Sequence, residues 1–126
     1  MAMQSIQQER AKYALEQVEA AEKALDQPKR NEYISYAAAL PAMIHMNGLG
    51  QAAAFYRAKD GRHTDLYRLL SNWLCRNGKP YSEYNDLIKA ITESDMQQYK
   101  LAQAEAQALM DWVKKFAKAY MSEEKK

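Results

Sequence analysis

The 126-residue sequence predicts an all-α fold, a compact bundle of about six helices with a four-helix core and a long C-terminal helix. The chain contains 21 Ala and 11 Leu but only five Ile, two Val and two Thr. Because strands are built mainly from β-branched and aromatic residues, this composition favours helices over a sheet. Apolar residues also recur at spacings of three and four. We expect a single domain over residues 1–121 and a disordered tail at 122–126.

The first three helices are predicted from this periodicity and from the breakers between them. The first runs from Met3 to about Gln27, and the Gln-Pro pair at 27–28 ends it. The second runs from about Arg30 to Met46, and Pro41 should kink it because proline lacks a backbone donor. The third begins at Leu49 or Gly50 and ends near Lys59, before "DGR".

Three further helices complete the predicted bundle. The fourth, from about Thr64 to Arg76, carries a strong apolar face and is closed by "NGKP". The fifth runs from about Ser82 to Ile91 and the last from near Ser94 to about Met121, with the two serines as predicted N-caps. The apolar stripe of the last helix consists of Tyr99, Ala102, Ala106, Leu109, Val113, Phe116 and Tyr120.

Few residues suggest catalysis, metal binding or secretion. The single Cys75 excludes an internal disulfide, and no signal peptide or apolar run of about 18 residues is present, so we expect a cytoplasmic protein that does not enter a membrane. His45 and His63 lie in different segments without a carboxylate cluster, which argues against a metal site. Packing is the expected role of Met43, Met46, Trp73 and Trp112. We therefore predict no catalytic residues, no metal and no cofactor.

The stretch from Asn47 to Phe55, "NGLGQAAAF", raises the question of a nucleotide-binding loop. Gly48, Gly50 and Ala53 match the G-x-G-x-x-G/A pattern of dinucleotide-binding proteins. That pattern requires a preceding strand and an acidic residue about 20 positions later, whereas here the flanking residues are helical and the later position is not acidic. We interpret the stretch as a helix junction in which Asn47 or Gly48 adopts the left-handed conformation.

The positive charge of the chain is concentrated in its middle. Residues 57–79 carry six cations against two carboxylates, a net +4, although the whole chain is only +2. On the fourth helix Arg68, Asn72 and Arg76 are four residues apart, which places them in a row opposite the apolar face. A second group, Lys114, Lys115 and Lys118, lies near the end of the last helix, where cations also offset the helix dipole. Such rows occur both in nucleic-acid interfaces and in ordinary solvated helix faces.

Several stretches together resemble a known family, the small helical subunit of the Cmr complex, which is the type III-B CRISPR effector. The resemblance covers nearly the whole chain, and Gln103 departs from it by standing where a hydroxyl residue is expected. The stretches are "LPAMIHMNGLGQAAAFYRAK" (Leu40 to Lys59), then Tyr67, Leu70 and Trp73-Leu74, and "YKLAQAEAQALMDWVKKFAKAY" (Tyr99 to Tyr120).

The resemblance implies a non-catalytic protein that packs in a few copies, end to end, beside larger backbone subunits and lines the groove for guide RNA and target RNA. The basic residues would then contact phosphates without reading bases. The predicted RNA contacts are Arg57, Lys59, Arg62, Arg68, Arg76, Lys79, Lys114, Lys115 and Lys118. Two alternatives remain: a helical adaptor whose charges serve protein contacts only, and, least favoured, a small enzyme that uses the glycine pair to bind a nucleotide.

Overall fold

A computed structural model describes residues 3–123 of the chain. Over these residues it contains no strand and five helices. They are α1 (Ile6–Ala24), α2 (Gln27–Ala58), α3 (Arg62–Leu74), α4 (Leu87–Glu93) and α5 (Met96–Met121). The all-α prediction is therefore confirmed, with five helices instead of about six. Of the tail predicted at 122–126, residues 124–126 lie outside the described residues.

Side-chain caps set the starts of α1, α2 and α5. Ser5 begins α1 with a capping box, in which its hydroxyl accepts from the Gln8 amide. Asp26 caps α2 by accepting from Lys29, and Pro28 lies in the first turn, where no backbone donor is needed. The pair at 27–28 thus begins a helix, whereas we had predicted that it ends one. Asp95 caps α5, so the prediction of Ser94 was wrong by one residue.

Helix α2 is broken at Gly48 and doubles back on itself there. Gly48 has φ 87° and ψ 158°, which ends one helical part and starts another. The Tyr56 hydroxyl donates to the Tyr36 carbonyl oxygen over 2.6 Å, although 20 residues of straight helix would separate them by about 30 Å. The two helices predicted here are therefore present as the two parts of α2, and a sharp reversal joins them. Its non-helical dihedral angles occur at Gly48, not at Pro41, and they are extended with positive φ, not left-handed helical.

The segment between α3 and α4 is a series of turns. A helix from Ser82 was predicted, but α4 begins only at Leu87. Its first amides are satisfied by α3, because Leu87 N–H donates to the Ser71 hydroxyl and Ile88 N–H to the Tyr67 hydroxyl, each over 3.0 Å. Tertiary contacts therefore set the start of this short helix, and local sequence does not reveal them.

The core forms where α5 packs against α1 and α2, and where α2 packs against α3. Alanines supply much of this interface and allow the helices to approach closely; Ala14, Ala37, Ala52, Ala102 and Ala106 have no exposed surface. Along α5 the buried residues are Ala102, Ala106, Leu109, Met110, Val113, Ala117 and Met121. The predicted stripe is thus correct in its centre, whereas Tyr99 and Phe116 are half-buried and the prediction was wrong for Tyr120, which is exposed. Within residues 3–123, no helix is long and apolar enough to cross a membrane.

Candidate nucleic-acid interface

Most of the nine predicted RNA contacts are open to solvent. Arg62 and Lys79 are half-buried, and the other seven are exposed. Those seven are Arg57, Lys59, Arg68, Arg76, Lys114, Lys115 and Lys118. Exposure leaves these cations available to a phosphate backbone, although it does not by itself bring them together.

Arg62 differs from the others because it already has an anionic partner. Its Nε donates to Asp65 Oδ2 over 2.8 Å within the first turn of α3. A guanidinium engaged by a carboxylate must exchange that contact for a phosphate. Arg62 is consequently the weakest of the arginine candidates.

Between residues 66 and 74 the exposed face of α3 is narrow, and Arg68 is its one cation. Only Arg68 and Asn72 are exposed in this part of the helix, and its other residues are buried. Arg57, from the end of α2, places its guanidinium 6.0 Å from the centre of the Tyr67 ring, and Lys59 lies 5.1 Å from that of Phe55. We call Arg57, Lys59 and Arg68 the α3 strip.

Arg76 and Lys79 are brought together by a tight turn directly after α3. Lys79 N–H donates to the Arg76 carbonyl oxygen over 3.1 Å, and Gly78 between them has φ 84°. A positive φ at the third residue is typical of a type II turn, for which glycine is favoured. We had predicted that Arg76 continues the helical row of Arg68. It does not, because α3 ends at Leu74.

Two buried aromatic rings lie beneath this pair of cations. Tyr13 of α1 and Trp73 of α3 have ring centres 4.7 Å apart. The Arg76 guanidinium lies 4.4 Å from the Tyr13 centre and 5.0 Å from the Trp73 centre, and Lys79 Nζ lies 4.4 Å from the latter. Burial raises the pKa of Tyr13 to about 12 despite the opposing charge of Arg76, so the ring stays neutral. Cation–π attraction holds both cations against this platform.

The cation pair and the platform border an open pocket of about 350 Å³ between α1 and the turn after α3. Its charged lining residues are three cations and two carboxylates, a net charge of +1. The lining consists of Gln4, Glu9, Lys12, Tyr13, Glu16, Trp73, Arg76, Asn77 and Lys79. We call it the turn pocket.

Glu105 of α5 supports the platform from the core side. It accepts from Arg10 Nε and Nη2 over 2.6 and 2.9 Å and from Trp73 Nε1 over 2.9 Å, which joins α1, α3 and α5. Burial raises the pKa of Glu105, but the hydrogen bonds from Arg10 and Trp73 outweigh it and hold the pKa below its ordinary value. Sequence reasoning missed this group; the position of Glu105 beside the apolar stripe of α5 was the available signal.

His63 lies in an aromatic cluster at the start of α3. Its ring stacks on Tyr36 with centres 3.7 Å apart and meets Tyr56 edge-on at 4.8 Å. Burial, followed by the nearby charge of Lys59, lowers the pKa of His63. The cluster includes Phe55, which is 44% exposed and therefore lies at the surface and not in the core.

The C-terminal lysines form a separate group on the outer side of α5. Lys115 lines a small pocket with Gln7 and Trp112, and the Trp112 Nε1 donates to Gln7 Oε1 over 3.1 Å. Among the described residues, no hydrogen bond, ion pair or cation–π contact connects these lysines with the α3 strip or the turn pocket.

Two backbone amides of the glycine-rich stretch, those of Leu49 and Gly50, are not free to bind a phosphate. Leu49 N–H donates to Gln103 Oε1 and Gly50 N–H to the Tyr99 hydroxyl, each over 2.8 Å. The adjacent pocket of about 300 Å³ has no charged lining residue. These amides cap the second part of α2 through side chains of α5, which supports the helix-junction interpretation. Over residues 3–123, no group of three or more His, Cys, Asp or Glu side chains could hold a metal ion.

The sequence and the fold of this chain are similar to those of one protein family. The family model described as CRISPR-associated protein (Cas_Cmr5) matches residues 6–120. A relative named CRISPR system Cmr subunit Cmr5, from Thermus thermophilus, is 33% identical over 94 residues, which are 75% of this chain and 79% of the relative. The crystal structure of a CRISPR-associated Cmr5 family protein from the same organism has 31% sequence identity and a TM-score of 0.74, and the match covers 90% of this chain and 97% of that one.

Proposed function

The chain belongs to the Cmr5 family of CRISPR-associated proteins, and we propose that it is a non-catalytic small subunit that contacts RNA phosphates in a Cmr effector complex. Several copies would stack along the groove that holds the guide RNA and target RNA. Its partners would be the other Cmr subunits, further copies of itself and both RNAs.

The observation that carries the RNA-contact proposal is the exposure of three cations on α3 and at the end of α2. Arg68 lies on the narrow exposed face of α3, and Arg57 and Lys59 lie 6.0 Å and 5.1 Å from the ring centres of Tyr67 and Phe55. Cations held this way lose less side-chain freedom when they bind a phosphate. Contacts of this kind do not read bases, which suits a subunit that must accept any guide sequence.

A second candidate function is that of a helical adaptor without RNA contact. Exposed apolar side chains favour protein contacts: Met46 is 79% exposed, Met96 71% and Leu101 57%. Both functions can apply to one subunit, because none of these three residues belongs to the α3 strip. The two proposals differ in whether this chain touches RNA.

Ultraviolet crosslinking of the reconstituted Cmr complex to labelled target RNA tests the RNA contact. We expect a crosslink to this chain, and we expect the triple variant Arg57→Gln, Lys59→Gln, Arg68→Gln to weaken target binding. Each lost phosphate contact should lower the slope of log K against log salt by about 0.7 to 0.9.

The matched control neutralises three other exposed lysines, Lys23→Gln, Lys29→Gln and Lys100→Gln, and should leave the slope unchanged. Circular dichroism checks that both triple variants are folded. Absence of a crosslink, together with equal slopes for the two triple variants, would reject RNA contact and leave the adaptor function.

A further inference from the structure

The turn pocket combines features that an ordinary solvated face does not have. Arg76 and Lys79 occupy the first and fourth positions of one turn, so their Cα atoms lie within about 7 Å. Both side chains rest on the same indole of Trp73, and Arg76 also rests on Tyr13. The two cations therefore border the same indole ring before any ligand binds.

Trp73 and Tyr13 are only 3% and 4% exposed, so a base cannot stack on them. What they present to solvent is the cation pair that covers them. The pocket is thus suited to an anion and not to an aromatic group. The aromatic rings act as the support beneath the cations.

The charge of the pocket limits which anion it can hold. Three cations and two carboxylates, Glu9 and Glu16, leave a net +1 among the lining residues. A phosphodiester carries one negative charge, whereas a free nucleoside di- or triphosphate carries several and would be repelled by the carboxylates. An RNA strand also supplies neighbouring phosphates to other copies of the subunit.

We propose that the turn pocket binds one backbone phosphate of RNA between Arg76 and Lys79, with Tyr13 and Trp73 as the positioning platform. This inference rests on the proposed RNA contact and gives it a defined site. Glu105 acts as a positioning residue, because its hydrogen bond to Trp73 Nε1 fixes the indole on which both cations lie. Glu9 and Glu16 restrict the site to a singly charged phosphate.

The test measures binding of a labelled target RNA to the reconstituted Cmr complex as a function of salt. Because Arg76 and Lys79 hold the same phosphate, the double variant Arg76→Gln, Lys79→Gln should lower the salt slope by about 0.7 per copy that touches RNA, not by about 1.4. We expect its affinity to fall by about tenfold per contacting copy. An unchanged slope, or a decrease of about 1.4 per contacting copy, would overturn the shared site.

Substitution of a carboxylate provides an independent test, because it should increase the affinity of the complex for RNA. Glu16→Gln removes a negative charge from the pocket and should strengthen RNA binding, whereas Glu19→Gln, an exposed glutamate on the same helix that does not line the pocket, should not. Equal effects of these two variants would overturn the pocket even if Arg76→Gln failed to fold.

Two further measurements test the guanidinium that stacks on the platform and the kind of anion that the pocket binds. Arg76→Lys keeps the charge but loses the planar guanidinium, so its affinity should lie between wild type and Arg76→Gln; wild-type affinity would overturn a role for the stacked guanidinium at this position. ATP at millimolar concentration should not compete with the RNA, and competition that Arg76→Gln abolishes would identify a nucleotide site instead.

If the α3 strip variant weakens RNA binding and the double variant does not, only the turn pocket is rejected. If neither does, RNA contact itself fails.

Discussion

At the scale of single residues, Glu105 of α5 forms hydrogen bonds with α1 and α3, and no pattern in the sequence indicates these contacts. Its side chain is 12% exposed and that of Arg10 is 16% exposed, so their ion pair is largely shielded from solvent. A shielded carboxylate is tolerated here because it accepts hydrogen bonds from both Arg10 and the Trp73 indole. One carboxylate thus links three helices and supports the platform of the turn pocket.

Removing either partner should reduce the stability of the fold. We expect Arg10→Gln to lower the free energy of unfolding by about 2 kcal/mol, because it leaves Glu105 shielded without its strongest donor. Glu105→Gln keeps an acceptor for Trp73 and should cost about 1 to 2 kcal/mol. Urea denaturation of the two single variants and the double variant gives the coupling energy. Additive losses would contradict a direct interaction.

The same pair predicts a loss of stability in acid. The pKa of Glu105 is lowered in the folded state, so the stability it provides is present above its unfolded pKa and is lost as the pH falls through the folded value. Stability of the wild type should therefore decrease more between about pH 5 and pH 3 than that of Glu105→Gln. Identical pH profiles in urea denaturation would show that the carboxylate contributes nothing to acid sensitivity.

His63 predicts a second pH dependence, nearer to neutrality. Its pKa is lowered in the folded state by burial and by Lys59, so the unfolded chain binds the proton more readily. Stability should fall as the pH decreases through about 6.5, the ordinary histidine pKa, and His63→Phe should remove this decrease while retaining the stack on Tyr36. The control His45→Gln alters the other, exposed histidine. A decrease that persists in His63→Phe would contradict the assignment.

At the scale of elements, the reversal at Gly48 is stabilised by contacts from α5. The amides of Leu49 and Gly50 donate to Gln103 and Tyr99, two side chains separated by one helical turn of α5. Gln103 is the residue at which the sequence departs from the family resemblance, and its longer side chain supplies the acceptor that the second part of α2 needs. The dinucleotide-like glycine spacing thus serves a helix reversal.

We expect Gly48→Ala to destabilise the protein by about 2 to 3 kcal/mol. Its φ of 87° disfavours any side chain, and an added Cβ would lie 3.2 Å from the Tyr99 hydroxyl. Gly61→Ala is the matched control: its φ of 69° is similarly unfavourable, but a Cβ there meets nothing within 4 Å. Gly61→Ala should cost only the strain, about 1 to 2 kcal/mol. Equal losses of unfolding free energy for the two variants in urea denaturation would mean that the contact of the added Cβ with Tyr99 of α5 does not contribute.

The sequence predicted features that depend on neighbouring residues and missed features that depend on contacts between residues distant in the sequence. Helical periodicity was sufficient for the fold class, for the centre of the α5 stripe and for the break between residues 46 and 49. It failed at Ser82, because the amides that start α4 bind Tyr67 and Ser71 of α3. It also failed for the Arg68–Arg76 row, because a turn after Leu74 redirects Arg76 onto Tyr13 of α1. Contacts distant in sequence decided both cases.

At the scale of the whole molecule, modest charge is distributed over separate sites. The chain carries only +2, and the predicted RNA contacts other than Arg62 lie in the α3 strip, the turn pocket and the outer side of α5. A single copy with so few contacts should bind RNA weakly, with an affinity in the non-specific range of about 10⁻⁴ to 10⁻⁶ M at physiological salt. Stacked copies on one strand would add their contacts within a single assembly.

The proposed stacking therefore predicts that the same variant has a larger effect in the complex than in the isolated chain. Because Arg76 and Lys79 share one phosphate, a single copy of the double variant Arg76→Gln, Lys79→Gln can lose at most one phosphate contact, so the salt slope for 20-nucleotide single-stranded RNA should fall by no more than about 0.7. In a complex with several copies on the same RNA, every copy carries both substitutions and the loss is multiplied. The ratio of the two slope changes thus counts the copies whose pocket touches RNA. A ratio of one would mean a single contacting copy and would contradict stacking along the groove.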